Sequence, residues 1–131
     1  TIGSKESILP ISAFRLAHEA NAITYHIGCV LLDHFDTYVT ESIRNVCEGR
    51  NFFRIQCNNN GLRAWGETGN FVLVDLETSE RMRKVVSGLD DRDILVKGGF
   101  PKPVSHHIMV TCGPISQMER VFEGILEILV D

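Results

Sequence analysis

Four residues, Asn58-Asn59-Asn60-Gly61, constrain this chain more than any other feature, because they separate two textures of sequence. Asn and Gly enter the left-handed backbone that ends helices at little cost, so the cluster predicts a firm helix stop. Before it, apolar residues recur at spacings of three and four. After it, they come in short runs divided by turn chemistry. A chain written this way buries all its apolar faces together only as a layer of helices against a small sheet.

On the helical side, Ala20, Ala22, Ile23, Ile27, Val30 and Leu31 form one stripe of a helix running from Glu19 to about Leu32. A second helix, capped by Asp36 or Thr37, is expected to bury Val39, Ile43, Val46, Phe53 and Cys57. Its solvent side takes Glu41, Arg44, Glu48, Arg50 and Arg54. Past the stop, Leu62 to Trp65 and Phe71 to Leu76 flank the turn Gly66-Glu67-Thr68-Gly69 and read as a strand pair. Trp65 and Phe71, as large rings beside a small sheet, are expected in its core.

Ser79 then starts a third helix with Met82, Val85, Val86 and Leu89 inward, followed by strands at Ile94-Leu95-Val96 and at His107 to Cys112. The closing helix carries a capping box, Ser116 with Glu119 three residues on, ahead of Val121, Phe122, Ile125, Leu126 and Leu129. The predicted fold class is α+β: a small mixed sheet of three to four strands with helices packed on it. The chain is expected to form one domain over 1–131, with an arm or short helix over 1–18, a helical part over 19–58 and a sheet-and-helix part over 62–131.

Composition excludes several functions. With 17 acidic against 13 basic side chains among 131 residues, the net charge of −4 offers no polycationic surface for a nucleic-acid backbone. No apolar run reaches the ~20 residues that cross a bilayer, so no membrane partner is expected. The first residues carry no signal-peptide core, and Cys29, Cys47, Cys57 and Cys112 form no C-x-x-C pair. Reduced, packed cysteines and a cytoplasmic location follow as the default reading.

Spacing alone yields no chemistry, but particular residues go further. Gly69-Asn70-Phe71-Val72-Leu73-Val74 resembles the strand "N-F-v-l-v" that opens the small domain of histidinol-phosphate aminotransferases. Asp93-Ile94-Leu95-Val96-Lys97 is similar to their "G-I-x-V-R" strand. His107-Ile108-Met109-Val110-Thr111-Cys112-Gly113 resembles "h-I-R-V-T-I-G", again followed by a closing helix. Upstream, Leu16 to Asp33 stands where those enzymes have the long interdomain helix, with Asn21 matching its Asn, and Ser7 to Arg15 where they have a short helix after the last strand of the large domain. The resemblance thus covers nearly the whole chain, in order and separation.

That resemblance implies the C-terminal small domain of a fold-type-I enzyme dependent on pyridoxal phosphate, a transaminase or related decarboxylase acting on an amino acid or amino-phosphate, with the domain closing over the cofactor site. The lysine that binds the cofactor covalently belongs to the large domain and should precede Thr1; Lys5 falls in the helix after that segment. The chain alone is therefore expected neither to hold the cofactor tightly nor to transaminate, and the parent to be a homo-oligomer, as a dimer. The rival reading is a stand-alone, non-catalytic binding module on the same scaffold. A third is an unrelated regulatory ligand-binding domain.

The resemblance also implies site residues. The arginine that clamps the substrate anion in relatives is Met109 here, and a thioether donates no hydrogen bond. Three explanations stay open: a register offset, a different substrate anchor, or a parent without activity. Lys97 keeps the second cationic position but loses the two-pronged guanidinium. His107, two residues from Met109, shares its strand face, whereas His106 should point away. Asn21 and Asn70 are further candidates facing the active site, Asn70 with the alternative of a structural role where its strand begins.

Other groups read more plainly. Zinc on His106, His107 and Cys112 is set aside, since the histidines take opposite faces and the cysteine is distant. His18, His26 and His34 read as helix-surface or interface residues. Gly98 to Pro103 lacks a phosphate-loop pattern and reads as a connection. Cys112 has no visible base and reads as packing. Ile8, Leu9, Ile11 and Phe14, with one face of the interdomain helix, should be left uncovered without a large domain, which promotes association or a mobile N-terminal arm.

Overall fold

The computed structural model describes residues 3–12 and 21–130. They divide into two compact units, one reaching Val39 and one starting at Thr40. Among the described residues there are five α-helices and a three-stranded sheet.

The first unit holds α1 (Lys5–Ser12) and α2 (Ala22–Asp33). Helix α1 begins earlier than the expected Ser7, because the Ser4 carbonyl accepts the Ser7 and Ile8 amides. Asn21 caps α2, its Oδ1 accepting the Thr24 N–H at 2.8 Å, which satisfies one of the unpaired amides of the first turn. The expected stripe of α2 is present as a helix face, yet none of its residues is buried. Ile23 is 72% exposed and Leu32 71%. Glu19 and Ala20 of that stripe, with Phe14, Arg15 and His18, lie outside the described residues.

A π-helical segment, Asp36–Thr40, leads into α3 (Glu41–Asn59), in place of a helix capped at Asp36 or Thr37. Helix α3 ends at the predicted stop. The Leu62 amide reaches the Cys57 carbonyl at 2.9 Å and the Gly61 amide the Asn58 carbonyl at 3.2 Å, with Gly61 at φ +80°. That is the paired terminal bonding of a Schellman ending, which a left-handed glycine permits.

The face of α3 is rotated from the expected one. Phe53 and Cys57 are buried as anticipated, but Ile43 is exposed, and Gly49 and Arg50 are buried in its stead. The reason is a close approach. A Cβ on Gly49 would stand 1.9 Å from the Gly113 carbonyl oxygen, so only the missing side chain lets the helix backbone reach that segment. Arg50, expected in solvent, is drawn inside and donates to the Gly69 carbonyl at 2.7 Å.

The sheet consists of β1 (Ala64–Trp65), β2 (Phe71–Asp75) and β3 (His107–Thr111) in the order β1-β2-β3. Every pairing is antiparallel, so the expected mixed sheet is corrected. The expected strand at Ile94–Val96 shrinks to one bridge, Lys97 to Met109. Left-handed backbone at Asp93 (φ +57°) and Gly99 (φ +74°) turns the chain at both ends of the segment, and only Lys97 meets the sheet between them.

Helix α4 (Ser79–Asp90) starts where expected, with the Thr78 hydroxyl accepting the Arg81 amide. Helix α5 (Ile115–Val130) begins one residue before the expected cap, so Ser116 lies inside its first turn. The Pro114 carbonyl takes the Gln117 and Met118 amides instead. Helices α3 and α4 pack on the sheet and against α5. The core between them holds Phe53, Val72, Val74, Leu76, Val85, Leu89, Ile108, Val110 and Ile125, all under 3% exposed. Each such side chain withdrawn from water stabilises the fold by roughly 1.5–3 kcal/mol before the entropy of ordering is subtracted.

Candidate functional site

Alternation along the strands decides what the other sheet face carries. Val72, Val74, Ile108 and Val110 point to the helices, so Phe71, Leu73 and Asp75 of β2, and His107, Met109 and Thr111 of β3, take the opposite face. Register aligns them in rows: Trp65 opposite Leu73, Leu73 opposite Met109, and Asp75 opposite His107. Trp65 and Phe71 are therefore half-open to solvent at 48% and 39% exposure, rather than in the core as expected.

Met109 stands mid-strand, partly covered, and Lys97 is its partner on the free side. Both backbone bonds of that bridge are made, Met109 N–H to Lys97 O at 2.7 Å and Lys97 N–H to Met109 O at 3.1 Å. Side chains so paired lie on one face about 5 Å apart at Cβ. Lys97 is exposed, its Nζ 5.6 Å from the centre of the Phe100 ring. Beside it, an open cleft of about 660 Å³ is lined by Met82, Arg83, Val86, Asp90, Leu95 and Lys97.

His107 shares the Met109 face, and its ring stacks on Trp65 with centroids 5.5 Å apart. His106 departs from the sequence expectation. It precedes β3 in a turn, so strand alternation does not govern it, and its ring lies 4.4 Å from that of His107. Its Nε2 is 3.3 Å from Asp75 Oδ1.

The structure thus brings Met109, Lys97 and His107 to one face of the second unit. Asn70 stands at the start of β2, exposed, its carbonyl accepting the Cys112 amide at 2.8 Å. Asn21 belongs to the first unit as the α2 cap. Sequence reasoning missed Trp65, Arg63 and Asp75 as members of this face. The signal was present, since a buried Val72 and Val74 oblige Leu73 and Asp75 to point the other way.

Cys112 is buried, and burial raises its thiol pKa while Arg50 pulls it the other way. Cys57 is pushed up to about 12 by burial. Both stay protonated at neutral pH, which fits packing and not nucleophilic work. Among the described residues, Arg50 Nε, Arg54 Nε and His107 Nδ1 are buried without a hydrogen-bond partner.

No protein-family model matches the chain. A histidinol-phosphate aminotransferase from Geotalea uraniireducens (strain Rf4) is 29% identical over 91 residues, covering 70% of this chain and 26% of its own length. Another, from Geobacillus sp. (strain WCH70), is 25% identical over 130 residues, covering 98% of this chain and 34% of its own. The fold agrees: the crystal structure of histidinol-phosphate aminotransferase from Sinorhizobium meliloti, in complex with pyridoxal-5'-phosphate, superposes with a TM-score of 0.79 at 19% identity. It covers 95% of this chain, which spans 34% of that structure. The chain resembles one fragment of a histidinol-phosphate aminotransferase. It spans between a quarter and about a third of these relatives, as the small domain of a fold-type-I aminotransferase would.

The cofactor of such aminotransferases needs a lysine and a cup of donors around its phosphate. Lys5, Lys84, Lys97 and Lys102 are all exposed, and Lys97 alone of these lines a cleft described above. Within the second unit, Lys84, Lys97 and Lys102 are not gathered in one cleft with a set of phosphate donors.

Proposed function

We propose that this chain is the C-terminal small domain of a pyridoxal-phosphate-dependent, aminotransferase-like enzyme acting on an amino acid or amino-phosphate. The open sheet face would close over a cofactor held by a large domain. Closure excludes water and orients the substrate, contributions that lower a barrier without supplying the reactive atom. The observation carrying this reading is the pairing of Lys97 with Met109, because it puts both strand positions that bear cations in the resembling motifs side by side on a face that no helix of the second unit covers.

The substrate side of that face differs from an ordinary anion clamp. Met109, Leu73 and Trp65 form an apolar row with Lys97 at its end. Such a row takes an apolar or aromatic portion of a substrate, leaving one flexible ammonium for the anionic group. Exposed apolar residues on α2 and α1 fit a surface made to be covered by a large domain or a second copy.

The test is the coding sequence ahead of Thr1. A segment encoding a large domain with a Ser-x-x-Lys-type lysine supports the proposal; a start codon directly before Thr1 overturns it in favour of the stand-alone module.

A further inference from the structure

Asp75, His106 and His107 converge at one end of the β2–β3 pair, each offering a donor atom within 4.8 Å of the other two. Asp75 is 4% exposed and His107 8%. Two features of this cluster are left unexplained by packing. His107 Nδ1 is buried with no hydrogen-bond partner among the described residues, and a buried polar atom left unpaired is costly to the fold. His106 meanwhile directs Nε2 at the same carboxylate. We propose that these three side chains bind one divalent transition-metal ion, of the zinc or cobalt class.

Donor chemistry sets the class. Two imidazoles and a carboxylate suit borderline ions, whereas calcium and magnesium demand mostly oxygen. Donors around a tetrahedral zinc lie about 3.4 Å apart, as bond lengths of about 2.0–2.2 Å require, so side-chain rotations of about an ångström close the set. The carboxylate has room. Oδ2 is engaged by Arg63 at 2.5 Å, and Oδ1 accepts the Glu77 amide at 2.7 Å, leaving its second lone pair, now facing His106, for the ion. Arg63 and the amide then act as outer partners that orient the ligand.

Three protein donors leave a fourth position for an exchangeable water. The cluster adjoins Met109 on the same strand face through His107 but takes no donor from Met109 or Lys97, and the inference stands whether or not the chain serves an aminotransferase.

Trp65 makes the test direct, because it is the single tryptophan and its ring stacks on His107. The tag-free full chain is titrated with cobalt(II) while tryptophan emission and the visible cobalt spectrum are followed. Saturable one-to-one quenching, reversed by an equivalent of zinc and lacking a thiolate charge-transfer band, is the expected result. His106→Gln, at a position 30% exposed in its side chain, retains the fold by far-ultraviolet circular dichroism and weakens binding by about tenfold or more, since loss of even an outer partner of a metal ligand costs that much. His107→Gln does the same. Absence of saturable quenching, or quenching that His106→Gln weakens by less than about tenfold, overturns the site.

Discussion

Lys97 and Met109 exchange both backbone hydrogen bonds across a single antiparallel bridge, so their side chains emerge together on the sheet face that no helix of the second unit covers. In the resembling motifs both positions are basic. Here one is an exposed ammonium and the other a half-covered thioether. Met109→Arg is accordingly expected to restore a two-pronged clamp beside Lys97. In the complete enzyme, KM for a carboxylate- or phosphate-bearing amino substrate should fall by about tenfold, the scale of a charge-assisted bond worth roughly 1.5–3 kcal/mol. An unchanged KM would show that the substrate anion binds elsewhere.

Gly49 and Gly113 set how closely α3 approaches the segment between β3 and α5. Gly49→Ala places a Cβ 1.9 Å from a backbone oxygen that cannot swing away. The helix must shift, at a cost of about 1–3 kcal/mol or more, and thermal unfolding should fall by several degrees. Gly28→Ala is the control, since nothing stands within 4 Å of its added carbon and α2 is helical there. It should leave the midpoint unchanged or raise stability by up to about 1 kcal/mol.

Thiol reactivity should order by burial. Cys29 is exposed, Cys47 half-buried, and Cys57 and Cys112 buried, all as free thiols. A disulfide reagent at neutral pH should modify Cys29 first and Cys57 only on unfolding. Cys57 has a folded-state pKa raised from 9.0 to about 12, so the unfolded chain ionises first as pH rises. Its contribution to stability is complete below pH 9.0 and is lost as pH climbs from there towards about 12. Cys57→Ala should flatten that part of a stability–pH curve; an unaltered slope would remove Cys57 as its cause.

The uncovered apolar residues of α2 predict self-association. Ile23, Ile27 and Leu32 are each more than half exposed. Ile23→Lys with Leu32→Lys should reduce the sedimentation-average mass of the isolated chain at micromolar concentrations without altering helix content. Equal masses for both forms would place the contact on another surface.

Much of this fold was legible from local chemistry. The Asn58–Gly61 stop, the α4 start, β2, β3 and the closing helix all follow from patterns in which one signal dominates. What escaped was set by contacts distant in sequence. Arg50 carries every local mark of a solvent residue, and only the Gly49–Gly113 approach, between positions far apart in the chain, draws it inside. Ile94–Val96 has strand composition, yet left-handed Asp93 and Gly99 restrict it to one bridge.

The candidate site divides in the same way. Strand alternation put His107 with Met109, and the structure keeps that face. Trp65 was misplaced because ring size speaks for burial, while the register of a two-residue strand, known only from pairing, turns it outward. His106 escaped because it lies before the strand, where alternation has no force, and its approach to Asp75 depends on the turn that carries it.

The proposed closure of this domain over a cofactor requires an anchoring lysine in another part of the polypeptide. Borohydride reduction of the complete gene product with pyridoxal phosphate, followed by peptide mapping, tests it most directly. One pyridoxyl-lysine, N-terminal to Thr1, is the expected result. A label on Lys5, Lys84, Lys97 or Lys102, or no labelled lysine anywhere, would contradict it.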